Sequence, residues 1–313
     1  MRILNSPNLL SLLILGFVVL VAGTYGYVTY TQRPEMEHYA VDPGYGFPFD
    51  FEEPEQVVDL PEALTEISGL SSWYTDDQVL AVQDEDGELF VVDVRTGEIE
   101  ETFSFGKNRD YEGVARNGDK IYVLESDGKV HYLDYVEGTK EYKAVKLETS
   151  FSSRDDTEGL AYDPVLNRLL ITPKEQELTT DDEADDHQRG IYAYDPELGL
   201  MAPEPLFTID EYAVGQVVYG QRQRFNIKPS GIAVDPITKD LYVLASIGNI
   251  LVVIDRESNI KHIELLREKM FRQPEGLTFN ARGDLFISSE GRGGDGVLAT
   301  YRRQTAAATS KGQ

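Results

Sequence analysis

Short runs of β-branched, aromatic and aliphatic residues alternate along the chain with turn-forming pairs. Residues 121–124 (IYVL), 130–135 (VHYLDY) and 142–147 (YKAVKL) read as strands, and Asp127-Gly128 reads as a hairpin turn. The run VLAVQDEDGELFVVDVRTGEIEETFSF has the same form, with turns at Asp86-Gly87 and Thr96-Gly97. LYVLAS, ILVVID and IKHIEL follow further on, then LFISSE and VLATYRR. No comparable helical period appears after the first thirty or so residues, so the folded part is expected to be all-β.

The strand groups recur. Each is introduced by one unit: ISGLS, YEGVA, TEGLAYDP, PSGIAVDP and PEGLTF, with glycines at Gly69, Gly113, Gly159, Gly231 and Gly276. Their spacings are 44, 46, 72 and 45 residues. Three of these fit one four-stranded propeller blade. The fourth is too short to hide another full blade, so one blade carries insertions. These are expected at the acidic run 174–190 and around 212–225. The last copy lacks a fourth strand. QVVDL at 56–60 precedes the first copy and has no other partner, so it is expected to close the last blade. Closure removes the exposed sheet edges that invite aggregation. The prediction is a five-bladed β-propeller over residues 55–303.

Ahead of it, residues 9–30 carry no charge, and 22 residues suffice to span a bilayer as a helix. Tyr25, Tyr27 and Tyr30 would form the outer aromatic belt. A cleavable signal peptide is the competing reading. The long apolar run and the lack of a clean small-x-small site favour an uncleaved anchor over residues 1–32. Arg2 then leaves the amino terminus in the cytoplasm and the propeller on the periplasmic side of the inner membrane. Residues 33–54, rich in Pro, Gly and acid, read as an extended linker. Residues 304–313 read as a disordered tail.

Lys plus Arg number 29 against 55 Asp plus Glu, a net charge of −26. That balance argues against nucleic acid as a partner. Much of the excess reads as a solubility adaptation. Hydrophobic residues make up 41%, enough for a core, and with no cysteine nothing is held by disulfides. A monomer is expected. There is no G-x-S-x-G elbow, P-loop or H-E-x-x-H motif, and the four histidines are scattered.

The chemistry that remains follows from propeller geometry. A first strand starts on the same face where the second strand ends. The first-strand positions are Ser68, Glu112, Glu158, Ser230 and Glu275. The second-strand ends supply Asp84, Glu85, Glu125, Glu175 and Glu290, while blade 4 has the neutral SIGN. Up to eight carboxylates are thus expected around one mouth of the central channel, with Lys174 the nearest cation. Such a cluster must protonate, pair with bases or share a cation. Oxygen donors without Cys suit a hard ion, and calcium tolerates irregular geometry better than magnesium. The competing reading is that each Glu caps backbone N–H groups where strands start.

Taken in order, ISGLS, QDEDGELFVVD, DYEGVA, DTEGLAYDP with LLITPKE, PSGIAVDP, and QPEGLTF with LFISSEG resemble the SdiA-regulated, YjiK-like proteins over about residues 55–302. The resemblance implies a five-bladed propeller outside the cytoplasmic membrane, with a calcium site and no established activity. Glu112, Glu158 and Glu275 match its E-G positions, and Asp84-Glu85 and Glu290 its acidic strand ends. The SIGN segment departs from it. Two functions are therefore expected in competition. One is a membrane-anchored, calcium-binding module of unknown ligand. The other is a metal-dependent hydrolase, of phosphoesterase or lactonase type, using the same mouth with Glu158 as base.

Overall fold

The computed structural model describes residues 7–31, 37–174 and 187–304. Five antiparallel sheets account for the strands after the N-terminal helix. Blade 1 comprises Ile67–Ser72, Gln78–Gln83, Glu88–Asp93 and Ile99–Ser104. Blade 2 comprises Tyr111–Asn117, Lys120–Glu125, Val130–Asp134 and Val145–Leu147. Blade 3 starts with Thr157–Asp163 and Arg168–Pro173. Its third strand, Gln188–Asp195, pairs with both Leu200–Met201 and Phe207–Asp210. Blade 4 is Lys228–Val234, Leu241–Ile247, Ile250–Ile254 and Ile260–Leu265; blade 5 is Pro274–Phe279, Leu285–Ser289 and Val297–Tyr301. The first strands pack side by side in a ring, blade 5 against blade 1. The five-bladed all-β prediction holds.

The closing strand is where the sequence puts it. Gln56–Asp59 pairs antiparallel with Val297–Tyr301, Gln56 opposite Thr300 and Asp59 opposite Val297. The insertion at 212–225 folds as a helix, Glu211–Tyr219. Asp210 caps its start by accepting from the Tyr212 and Ala213 amides, and Gly220 ends it in the left-handed region. Glu211 is fully buried there, bonded to Arg189, Arg224 and the Ile227 amide. Most of the acidic insertion, 175–186, lies outside the described residues, as does nearly all of the predicted tail.

The segment before the propeller differs from the expected linker. His38–Ala40 adds a fifth strand to the outer edge of blade 4. Phe47 stacks on His262 with ring centroids 3.8 Å apart, and Phe51 stacks on Tyr301 at 4.2 Å. Tyr39, Phe49 and Phe51 are buried. Residues 37–51 thus form a strap across blades 4 and 5. The physical reason is aromatic burial, worth about 1.5–3 kcal/mol per large side chain, which outweighs the extended preference of Pro and Gly.

The N-terminal helix runs from Pro7 to Thr31. Its side chains are described over residues 11–23, all exposed. Among the described residues no helix is long and apolar enough to cross a membrane.

Candidate functional site

Every first strand begins with the same irregularity. The pairing register shifts between Ile67 and Gly69, Tyr111 and Gly113, Thr157 and Gly159, Pro229 and Gly231, and Pro274 and Leu277. The extra residues at these β-bulges include Ser68, Glu112, Glu158, Ser230 and Glu275. A bulge re-aims its side chain, and these five line one void on the propeller axis. The void is about 10 Å³, the space of one water centre. The repeat glycines set its width. A Cβ on Gly231 would lie 2.4 Å from the Glu275 carbonyl oxygen, and one on Gly113 2.8 Å from the Leu160 Cβ.

The serines and glutamates of this ring do different things. Ser68 donates to the Tyr111 carbonyl and Ser230 to the Pro274 carbonyl, each at 2.7 Å, stitching one blade to the next. None of the three glutamates accepts a backbone N–H among the described residues. The nearby Gly159 and Gly276 amides donate instead to Thr172 Oγ1 and Ser288 Oγ, each at 3.1 Å. Backbone capping therefore does not account for the glutamates.

Their electrostatics are strained. Lys174 donates to Glu158. Glu275 is 3% exposed, and its Oε2 has no hydrogen-bond partner. Burial pushes Glu275 well above the usual carboxylate range, reinforced by Glu158. Burial also raises Glu112 strongly, helped by Glu158, Asp110 and Glu275. Glu158 is pushed up by burial only to about 7, because Lys174 opposes the rise. Three acids face one base, so the ring carries two uncompensated negative charges if all are ionised.

The other predicted carboxylates divide. Asp84 lies on the rim, raised to about 6 by burial and by Glu66, Glu85 and Asp110, and its buried Oδ1 lacks a partner. Glu290 joins it, raised to about 7 by burial and by Asp84, and accepts from Gln273 at 2.7 Å. Glu85 is exposed beside them. Glu125 does not join the group. It is buried within blade 2, against His131 at 2.5 Å and Lys146 at 2.9 Å. Strand alternation turns its side chain onto the blade face, toward the third and fourth strands, instead of toward the axis. Glu175 lies outside the described residues. Among the described residues no group of three or more His, Asp or Glu side chains already converges closely enough to hold a metal ion.

The sequence reading missed Glu66, Asp110 and Asp156, which press on these groups. Their signal is positional: each stands three residues ahead of a repeat glycine. Blades 4 and 5 have Lys228 and Gln273 there.

The opposite mouth is a cup of about 380 Å³. Leu70, Val114, Leu160, Ile232 and Leu277, each following a repeat glycine, floor it. On its rim Arg116 is bound to the carbonyls of Ser72, Trp73 and Gly118 and lies over the Tyr74 ring.

A family model described as SdiA-regulated matches residues 206–292, from the end of blade 3 to the second strand of blade 5. The resemblance to the SdiA-regulated proteins stands. The matched stretch contains Glu275 and Glu290. No curated protein is significantly similar to the chain in sequence. Among solved structures, Myxococcus xanthus glutaminyl cyclase is similar at 11% identity, over 80% of this chain and 96% of that one, with a TM-score of 0.53. The PQQ-bound aldose sugar dehydrogenase of Streptomyces coelicolor is similar at 14% identity, over 80% and 97%, also at 0.53. At such identities the likeness is of fold alone.

Proposed function

We propose that this SdiA-regulated-like propeller is an extracytoplasmic binding module that takes up one calcium ion at its carboxylate mouth. The observation that carries this is Glu275 Oε2, buried on the axis without a partner, beside Glu112 and Glu158. With all three acids ionised the ring would carry an uncompensated charge of two, which matches one divalent cation. The void has the space of one ion and none for a larger group. Glu112, Glu158 and Glu275 would hold the ion, with Asp84 and Glu290 acting from the rim. Bound there, it would neutralise carboxylates that burial now drives toward protonation. Melting curves in EDTA, magnesium and calcium test it. Calcium is expected to raise the melting temperature most, and a protein indifferent to calcium overturns the reading.

A hydrolytic role has one observation in its favour: Glu158 is held at about 7, suited to a general base. The axial void would confine any substrate to the rim above it. Phosphate esters and lactones, offered with and without calcium, separate the two readings. Metal-dependent turnover lost in Glu158→Gln would establish the enzyme.

We further propose that the uncharged run of residues 9–30, whose side chains are described only over 11–23, anchors a monomeric propeller to the inner membrane on its periplasmic side. The protein should then resist high-salt and carbonate extraction. A mature form free in the periplasm would favour the signal-peptide alternative.

A further inference from the structure

A second pocket, of about 450 Å³, lies between blades 1 and 2, away from the axis. Its lining includes Lys107, Arg109, Lys143 and Lys146, against a single lining acid, Glu141. That is anomalous here. The chain has nearly two acids for every base, so a base should readily find an acid. Yet Lys107 and Lys143 are exposed and have no acidic partner among the described residues. Arg109 and Lys146 share one buried acid, Glu125, at 4.0 and 2.9 Å. Glu125 is also bonded to His131, whose pKa burial lowers. The pocket therefore holds four mutually repelling cations, two of them uncompensated.

Part of its wall is aromatic. Phe105, Tyr111 and Tyr142 line it beside the cations. The volume falls within the range of about 300–1,000 Å³ typical of small-molecule sites.

We infer that this pocket binds a phosphate monoester of a small, partly apolar alcohol. A monoester carries a charge of about −1.5 to −2 at pH 7, which matches Lys107 and Lys143. Its oxygens would accept charge-assisted bonds from the lysines and Arg109. Its organic part would lie against the half-buried Tyr142.

Calorimetric titration of the full chain with phenyl phosphate tests this. EDTA prevents metal bridging, and ionic strength is fixed at about 0.15 M because surface charges are screened. One saturable site is expected, weaker for inorganic phosphate, which lacks the ring, and weaker for benzoate, which lacks the second charge. The double variant Lys107→Ala, Lys143→Ala should bind phenyl phosphate at least ~10-fold more weakly. Its melting temperature should not fall, since both side chains are exposed and have no acidic partner among the described residues. No saturable heat, equal binding of benzoate, or undiminished binding by the variant would each overturn the inference. The axial calcium reading is untouched by any of these results.

Discussion

Lys174, just after the second strand of blade 3, donates a hydrogen bond to Glu158 at the start of the first strand. Glu275 lies close enough to feel both charges and has no such partner for its Oε2. A single ammonium thus serves a ring of three acids.

Replacing that ammonium should separate stability from calcium binding. Lys174→Met leaves Glu158 buried and unpaired, so in EDTA the variant should lose about 3 kcal/mol of unfolding free energy. With the competing cation gone, calcium should bind roughly tenfold more tightly, about 1.4 kcal/mol. Chemical denaturation with and without calcium checks both signs.

Neutralising the acids should act oppositely. Glu112→Gln and Glu275→Gln each remove an acid that must take up a proton to be buried, and should melt higher than the parent in EDTA at neutral pH. For the parent, 10 mM calcium and a dissociation constant near 10⁻⁴ M give about 2.7 kcal/mol, a melting rise of roughly 5–10 °C. Each variant should keep less than half of that rise. A variant that melts lower in EDTA and keeps the full calcium rise would remove the glutamates from the site.

The pH dependence has a definite sign. Glu158 and Glu290 are raised to about 7, Glu112 to about 10, and Glu264, beneath the strap, to about 8, all through burial first. In the unfolded chain such groups lose their protons near 4.5. Between pH 6.5 and 9 the folded protein holds protons that the unfolded chain has released. Stability in EDTA should therefore fall as pH rises across that window, by about 1.4 kcal/mol per pH unit for each proton retained. The buried His131 and His262, both lowered by burial, oppose this only below their ordinary 6.5. Calcium should flatten the slope by replacing protons on the axial ring, leaving the part due to Glu264. Melting curves at four pH values, with and without calcium, measure it.

The strap should matter as much as a core strand. Phe51→Ala removes a ring stacked on Tyr301 and should cost about 3–5 kcal/mol, visible as a lower denaturation midpoint. An equal substitution at exposed Tyr74 should cost far less.

How far residues alone disclose this molecule depends on periodicity. Five repeat glycines, three of their four spacings nearly equal, fix the blades because a side chain there would collide with neighbouring strands. The closing strand is equally legible, since blade 5 is one strand short and QVVDL has no other use. The strap escaped notice although its signal is present: Phe47, Phe49 and Phe51 alternate as in a strand, but Pro48 and the surrounding acids give a linker's composition. The axial glutamates were legible from their repeat position. Glu125 was not, because a strand-end position says where the backbone arrives and not which face the side chain takes. The cationic pocket joins residues 104–111 to 141–146, and no spacing in the sequence connects those two connections.

The pairing of Gln56–Asp59 with Val297–Tyr301 also imposes an order in time. The clasp's two halves are made at opposite ends of translation, separated by most of the chain. At about 5–20 residues per second, the early half waits roughly 10–50 s for its mate. Throughout that interval four blades can form while the fifth has only its outer strand, and the circle stays open. A ribosome that stalls before residue 297 therefore releases an arc with two sticky ends. Such an arc is a substrate for chaperones and proteases, however well its first four blades have folded.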